Sequence, residues 1–80
     1  MTEKRLLPVS GKQMVKVFRK IGFQVDRQRG SHIVMSKGDV ILVIPNHATV
    51  AKGTERGLTK DAGLTVEEFN KLLYGLNGGI

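Results

Sequence analysis

The segment Phe23–Ile44, FQVDRQRGSHIVMSKGDVILVI, changes character twice in 22 residues. Phe23 and Val25 alternate with Gln24 and Asp26, the period of a half-buried strand. Arg29-Gly30 is a turn signal. Ser31 to Ser36 is a second strand, with Ile33 and Met35 on one face and His32, Val34 and Ser36 on the other. Lys37-Gly38-Asp39 is a second turn. Val40-Ile41-Leu42-Val43-Ile44 is a third strand, apolar on both faces, which Pro45 ends. Three strands joined by short turns make an antiparallel meander. A meander is stable only when one face is covered.

The flanking segments supply the cover. Upstream, Met14, Val17, Phe18 and Ile21 recur at i, i+3, i+4 and i+7, one apolar stripe of a helix. Ser10 is placed to cap it, with Gln13 three residues on to close a capping box, and Gly22 supplies a left-handed stop. Downstream, a short helix of low propensity is expected from Thr54 to Ala62, weakened by Gly57 and Thr59 and ended by Gly63. Thr65 caps a stronger helix. Glu68 closes its box, Leu64 is placed to staple onto Phe69, and Leu72, Leu73 and Leu76 continue the stripe. The expected class is α+β: a helix, a three-stranded meander, then one or two helices on one sheet face. The second apolar face of the third strand then meets a loop or marks a protein interface, the latter being favoured.

Composition narrows the partners. The chain has 80 residues, 13 Lys and Arg against 7 Asp and Glu, and a net charge of +6. One domain over residues 1–80 is expected, with a thin stability margin, a loosely ordered lead at 1–9 and a loose tail at 77–80. The basic balance attracts polyanions, nucleic acid first and an acidic protein second. There are no cysteines. Neither a signal peptide nor the roughly 20 apolar residues that span a bilayer can be found, so a cytoplasmic protein without membrane contact is expected.

Chemistry is sparse. Two histidines, no cysteines and scattered carboxylates do not make a metal site, and no cofactor motif is present. His32 is the notable residue. It belongs to the face opposite Ile33 and Met35, with Arg27 and Arg29 before it and Lys37 after it. The turn at Gly30 allows close backbone approach, and Ser31 beside it is a further candidate RNA contact. Imidazole and cations on one surface suit metal-free RNA cleavage. The 2′-hydroxyl is the nucleophile, a histidine can move a proton near neutral pH, and Lys or Arg can stabilise the phosphorane. His47 is a candidate second proton carrier only if its loop folds back toward the second strand. A second candidate phosphate site is the helix start Lys52-Gly53-Thr54-Glu55-Arg56, with free N–H groups, the Thr54 hydroxyl and the cations Lys52 and Arg56. Against these stand plainer alternatives: a surface histidine, a solvated basic face and an ordinary helix start. Phe18, Phe23 and Phe69 are core positions and Tyr74 is undecided, so base stacking on an aromatic platform is disfavoured.

Ser10-Gly11-Lys12, Gly22-Phe23, Gly30-Ser31-His32, Pro45-Asn46-His47, Lys52-Gly53-Thr54 and Ala62-Gly63-Leu64-Thr65-Val66-Glu67-Glu68-Phe69, in this order, resemble the HicA toxin family over residues 8–73. The resemblance implies a fold like that of double-stranded-RNA-binding domains. It implies an endoribonuclease that cleaves mRNA without a metal and blocks translation. Its catalytic histidine lies in the Gly-Ser-His motif, here His32. It further implies a HicB-type antitoxin that neutralises the toxin and often represses the operon. Such a partner, covering the basic face and His32, would fit the charge and the apolar third strand. The chain departs from the family where Ile33-Val34-Met35 follow the motif in place of a second histidine or an aromatic, and where Gly57 and Thr59 interrupt the helix after Gly53-Thr54. A non-catalytic RNA-binding module of the same fold is the alternative, and a basic face that only docks an acidic protein is a third.

Overall fold

The computed structural model describes residues 5–76. Helix α1 spans Gly11–Lys20. Strands β1, Gln24–Arg29, β2, His32–Lys37, and β3, Val40–Pro45, follow, and helices α2, Lys52–Asp61, and α3, Val66–Leu76, complete the order. The sheet is antiparallel in the order β1-β2-β3. This is the expected α+β layout, with both downstream helices formed.

Each boundary has a local cause. The Ser10 hydroxyl accepts from the Gln13 N–H at 3.1 Å, and the Gln13 side chain accepts from the Ser10 N–H at 2.9 Å, so the capping box of α1 is closed. Gly22, at φ 103°, turns the chain out of α1. Thr65 and Glu68 close the equivalent box at α3, at 3.1 and 2.8 Å. Helix α2 begins at Lys52, two residues earlier than the sequence suggests. Its cap is Ala51, which makes no side-chain cap bond, and Thr54 sits inside the first turn. Gly57 is exposed, whereas Thr59 is buried and its hydroxyl donates to the Glu55 carbonyl at 2.7 Å. The helix forms because Leu58 joins the core, so packing overrides propensity.

Ile33 and Met35 of β2, with Leu42 and Ile44 of β3, are buried on one sheet face. They join Met14, Val17 and Phe18 of α1, Leu58 of α2, and Phe69 and Leu73 of α3 in one cluster. The Phe18 ring stands 6.0 Å from both the Phe23 and the Phe69 rings, tilted by 58° and 55°. The phenylalanines are therefore core, and Tyr74 is exposed. Residues 5–9 are not loose. Leu6 and Val9 are buried, the Val50 N–H donates to the Val9 carbonyl at 2.8 Å, Lys52 Nζ donates to the Leu6 carbonyl, and Asn70 donates to the Arg5 carbonyl at 2.9 Å. Leu6 and Val9 have core positions to fill and Leu7 packs against the core, which pins the segment. Residues 1–4, the tail at 77–80 and the Leu76 side chain lie outside the described residues. Among the described residues no helix is long and apolar enough to cross a membrane.

Candidate functional site

The opposite sheet face carries the residues of interest. Paired residues of neighbouring strands share a face. His32 is paired with Arg29 on β1 and with Pro45 on β3; Val34 is paired with Arg27 and Val43; Ser36 is paired with Gln24 and Ile41. His32, Arg27 and Arg29 are all exposed, whereas Val34 and Ser36 are partly buried. His32 thus stands at one end of an open sheet surface with a guanidinium as its cross-strand neighbour.

Strict alternation would not have put the arginines there. From Val25, on the covered face opposite Met35, a period of two would carry Arg27 and Arg29 to the same covered side. The register shifts between Val25 and Arg27, leaving Asp26 as an extra residue in a bulge. The bulge reverses the parity of everything after it. Arg27 and Arg29 turn to the His32 face, and Gln28 takes the covered side opposite Ile33. Asp26 Oδ1 accepts from the Ser36 hydroxyl at 2.9 Å, which ties the bulge to β2.

The hairpin before His32 is a two-residue loop of Gly30 and Ser31, with Arg29 in the strand rather than the turn. Gly30 has φ 55°, and a Cβ there would meet nothing within 4 Å, so the tip is open to approach. The β2-β3 ladder runs one residue beyond His32 and Pro45 at this tip. The Asn46 N–H donates to the Ser31 carbonyl at 2.7 Å, and the Gly11 N–H donates to the His47 carbonyl at 3.0 Å. His47 is exposed and lines a groove of about 310 Å³ with Ser10, Lys12, Asn46 and Ala48. The end of the sheet that bears His32 therefore also gathers the His47 loop and the start of α1. Lys12, which charge alone did not single out, belongs to this neighbourhood. Its place in the Ser10-Gly11-Lys12 stretch at the start of α1 is the sequence signal for that.

Four expected RNA-binding residues are elsewhere. Lys37 pairs with Val40 at the far end of β2 and on the other face from His32. Its Nζ donates to the Ile21 carbonyl at 2.6 Å and lies 5.9 Å from the Phe23 ring centroid. Alternation from His32 to Lys37, five residues on, reverses the face, so Lys37 closes α1 onto the sheet instead of serving the site. Lys52 and Arg56 belong to α2, in the helical layer, and line a groove of about 440 Å³ with residues 5–8. Lys52 is held there by the Leu6 carbonyl. Thr54 is exposed in the first turn of α2 and is not that helix's cap. Beneath it Glu55 is fully buried, and neither carboxylate oxygen has a hydrogen-bond partner among the described residues. Burial pushes its pKa up, against the opposing pull of Lys52 and then Arg56.

What the open end of the sheet can do follows from its parts. An exposed imidazole can exchange a proton with a substrate, and the two arginines can hold a phosphodiester beside it. Residues 11–64 match the model of a protein family described as HicA toxin of bacterial toxin-antitoxin. Comparison with curated proteins gives no match.

Proposed function

The chain belongs to the HicA toxin family, and from that footing we propose that it is a metal-independent endoribonuclease that cleaves mRNA. The observation that carries this reading is the pairing of exposed His32 with Arg29 across β1 and β2, on a sheet face that no described helix covers.

The reaction needs little from the protein. One base takes the proton of the ribose 2′-hydroxyl. The 2′-oxygen attacks phosphorus, the bond to the 5′-oxygen breaks, and an acid protonates that leaving oxygen. The products are a 2′,3′-cyclic phosphate and a free 5′-hydroxyl. His32 serves as general base or acid. Arg27 and Arg29 hold the phosphate and stabilise its added charge in the transition state. The open tip at Gly30-Ser31 lets the sugar-phosphate chain come close. His47, next to the Asn46 that bonds Ser31, is the candidate for the other proton transfer. A HicB-type antitoxin neutralises the enzyme, and both act in the cytoplasm.

The test is RNA cleavage by wild type and His32→Ala, with and without chelator, beside inducible expression of each. A positioned histidine contributes about 10²–10⁴ in rate. His32→Ala should lose cleavage by that factor and lose toxicity, keep the wild-type circular dichroism, and leave the wild type indifferent to chelator. Undiminished cleavage by His32→Ala would defeat the assignment and leave a non-catalytic RNA-binding module.

A further inference from the structure

The two edges of the sheet are built differently. The outer strand β1 is polar at every position but Val25, carries Asp26, Arg27 and Arg29, and is broken by the bulge. Charges and bulges of this kind keep a sheet edge from pairing with another chain. The other outer strand, β3, has none of them. Its sequence is Val-Ile-Leu-Val-Ile-Pro, its register with β2 is unbroken, and it contains no charged residue. Among the described residues, no backbone hydrogen bond joins Val40–Ile44 to any segment other than β2. Val40 is 39% exposed, Ile41 65% and Val43 49%. A regular, β-branched, uncharged edge is a template for a further strand.

We infer that the outer edge of β3 is where the antitoxin docks: a strand of the antitoxin pairs along Val40–Ile44 and packs apolar side chains on Ile41 and Val43, while an acidic surface of the same partner overhangs Arg27 and Arg29. This deepens the function proposed above and rests on its antitoxin, but not on catalysis by His32. The cations lie two strands in from that edge, about 10 Å from β3 at the ordinary strand spacing. A partner seated on β3 therefore needs only a modest overhang to lie across His32. Charge selects the occupant. A second copy would bring +6 against +6, and an RNA backbone finds no cation on β3. A protein that is acidic and offers an apolar strand matches both halves of the face.

The experiment uses the full-length chain and its purified cognate antitoxin. Amide hydrogen exchange of the complex should show its largest new protection over Val40–Ile44. The doubly substituted Ile41→Lys, Val43→Lys chain should bind the antitoxin at least about thirtyfold more weakly, the loss of a hot spot. Both side chains are exposed, so folding should survive. Should circular dichroism show otherwise, Val43→Thr and the exchange pattern of the wild type carry the test. Protection confined to β1 or the helices overturns the inference. So does RNA affinity that falls while antitoxin affinity holds, or a dimer of the chain that the substitutions dissociate. A wild type that cleaves no RNA would count against the nuclease and leave the β3 assignment standing.

Discussion

A Cβ on Gly11 would lie 2.1 Å from the Pro45 carbonyl oxygen and 3.0 Å from the Asn46 Cα. Helix propensity alone makes Gly11→Ala stabilising by up to about 1 kcal/mol. The contact says the opposite, since backbone on both sides cannot yield as a side chain would. Gly11→Ala should destabilise by about 1–3 kcal/mol in urea denaturation. It should also slow cleavage, because Pro45 is the cross-strand partner of His32. A gain in stability would show that α1 is free to move off the end of β3. Glu55 is the second telling residue. Its pKa is raised in the fold by burial, so the folded state holds its proton more tightly than the unfolded state does. That contribution is fully present below the ordinary value of 4.5 and is lost as pH rises through the raised value. Glu55→Met, which removes the unpartnered carboxylate, should raise the urea midpoint at pH 7.5 and leave it nearly unchanged at pH 4. An equal gain at both values would mean that the carboxylate finds partners in solution.

At the level of elements, the bulge in β1 decides what the candidate site contains. Deleting Asp26 restores strict alternation and turns Arg27 and Arg29 toward the helical side. Cleavage should fall about a hundredfold or more, the scale on which one charge-stabilising donor matters, although His32 is untouched. Circular dichroism must show a retained sheet for the comparison to hold, and the Arg27→Ala, Arg29→Ala chain is its reference. A deletion variant as active as wild type would show that the arginines are not needed on that face. Much of this level was legible beforehand. Both capping boxes, the stop at Gly22, and the alternation of His32 against Ile33 follow from residues close in sequence. The bulge was not legible, because nothing in Val25-Asp26-Arg27 marks an extra residue until β2 imposes its register. Nor was the engagement of Lys37, whose acceptor, the Ile21 carbonyl, is 16 residues away.

For the whole molecule, stability rests on one small cluster. Phe18 is its centre: it is fully buried and ring-packed against Phe23 before β1 and Phe69 of α3. Phe18→Ala should cost about 3–5 kcal/mol. The total stability of an ordinary domain is only about 5–15 kcal/mol, and a chain of this size stands near the lower end. Urea denaturation should therefore find the variant at the margin of folding, and a loss below 1 kcal/mol would mean that the core repacks freely. The same economy of size leaves one sheet face bare. Three helices suffice to cover one side of three strands, and the described helices leave the other side open.

The amino-acid sequence alone determined the class of fold, the core phenylalanines, the caps and the exposure of His32. These depend on periodicity and on contacts within a few residues, which a linear pattern records. The tertiary structure decided the company His32 keeps. It brought in Arg27 and Arg29 through the bulge and joined the start of α1 to the His47 carbonyl. It also assigned Lys37 and Lys52 to carbonyls distant in sequence, pinned residues 5–9, and left β3 as an undefended edge. Each of these depends on the register between strands or on which carbonyl lies within reach, and the chain acquires both only when its layers pack.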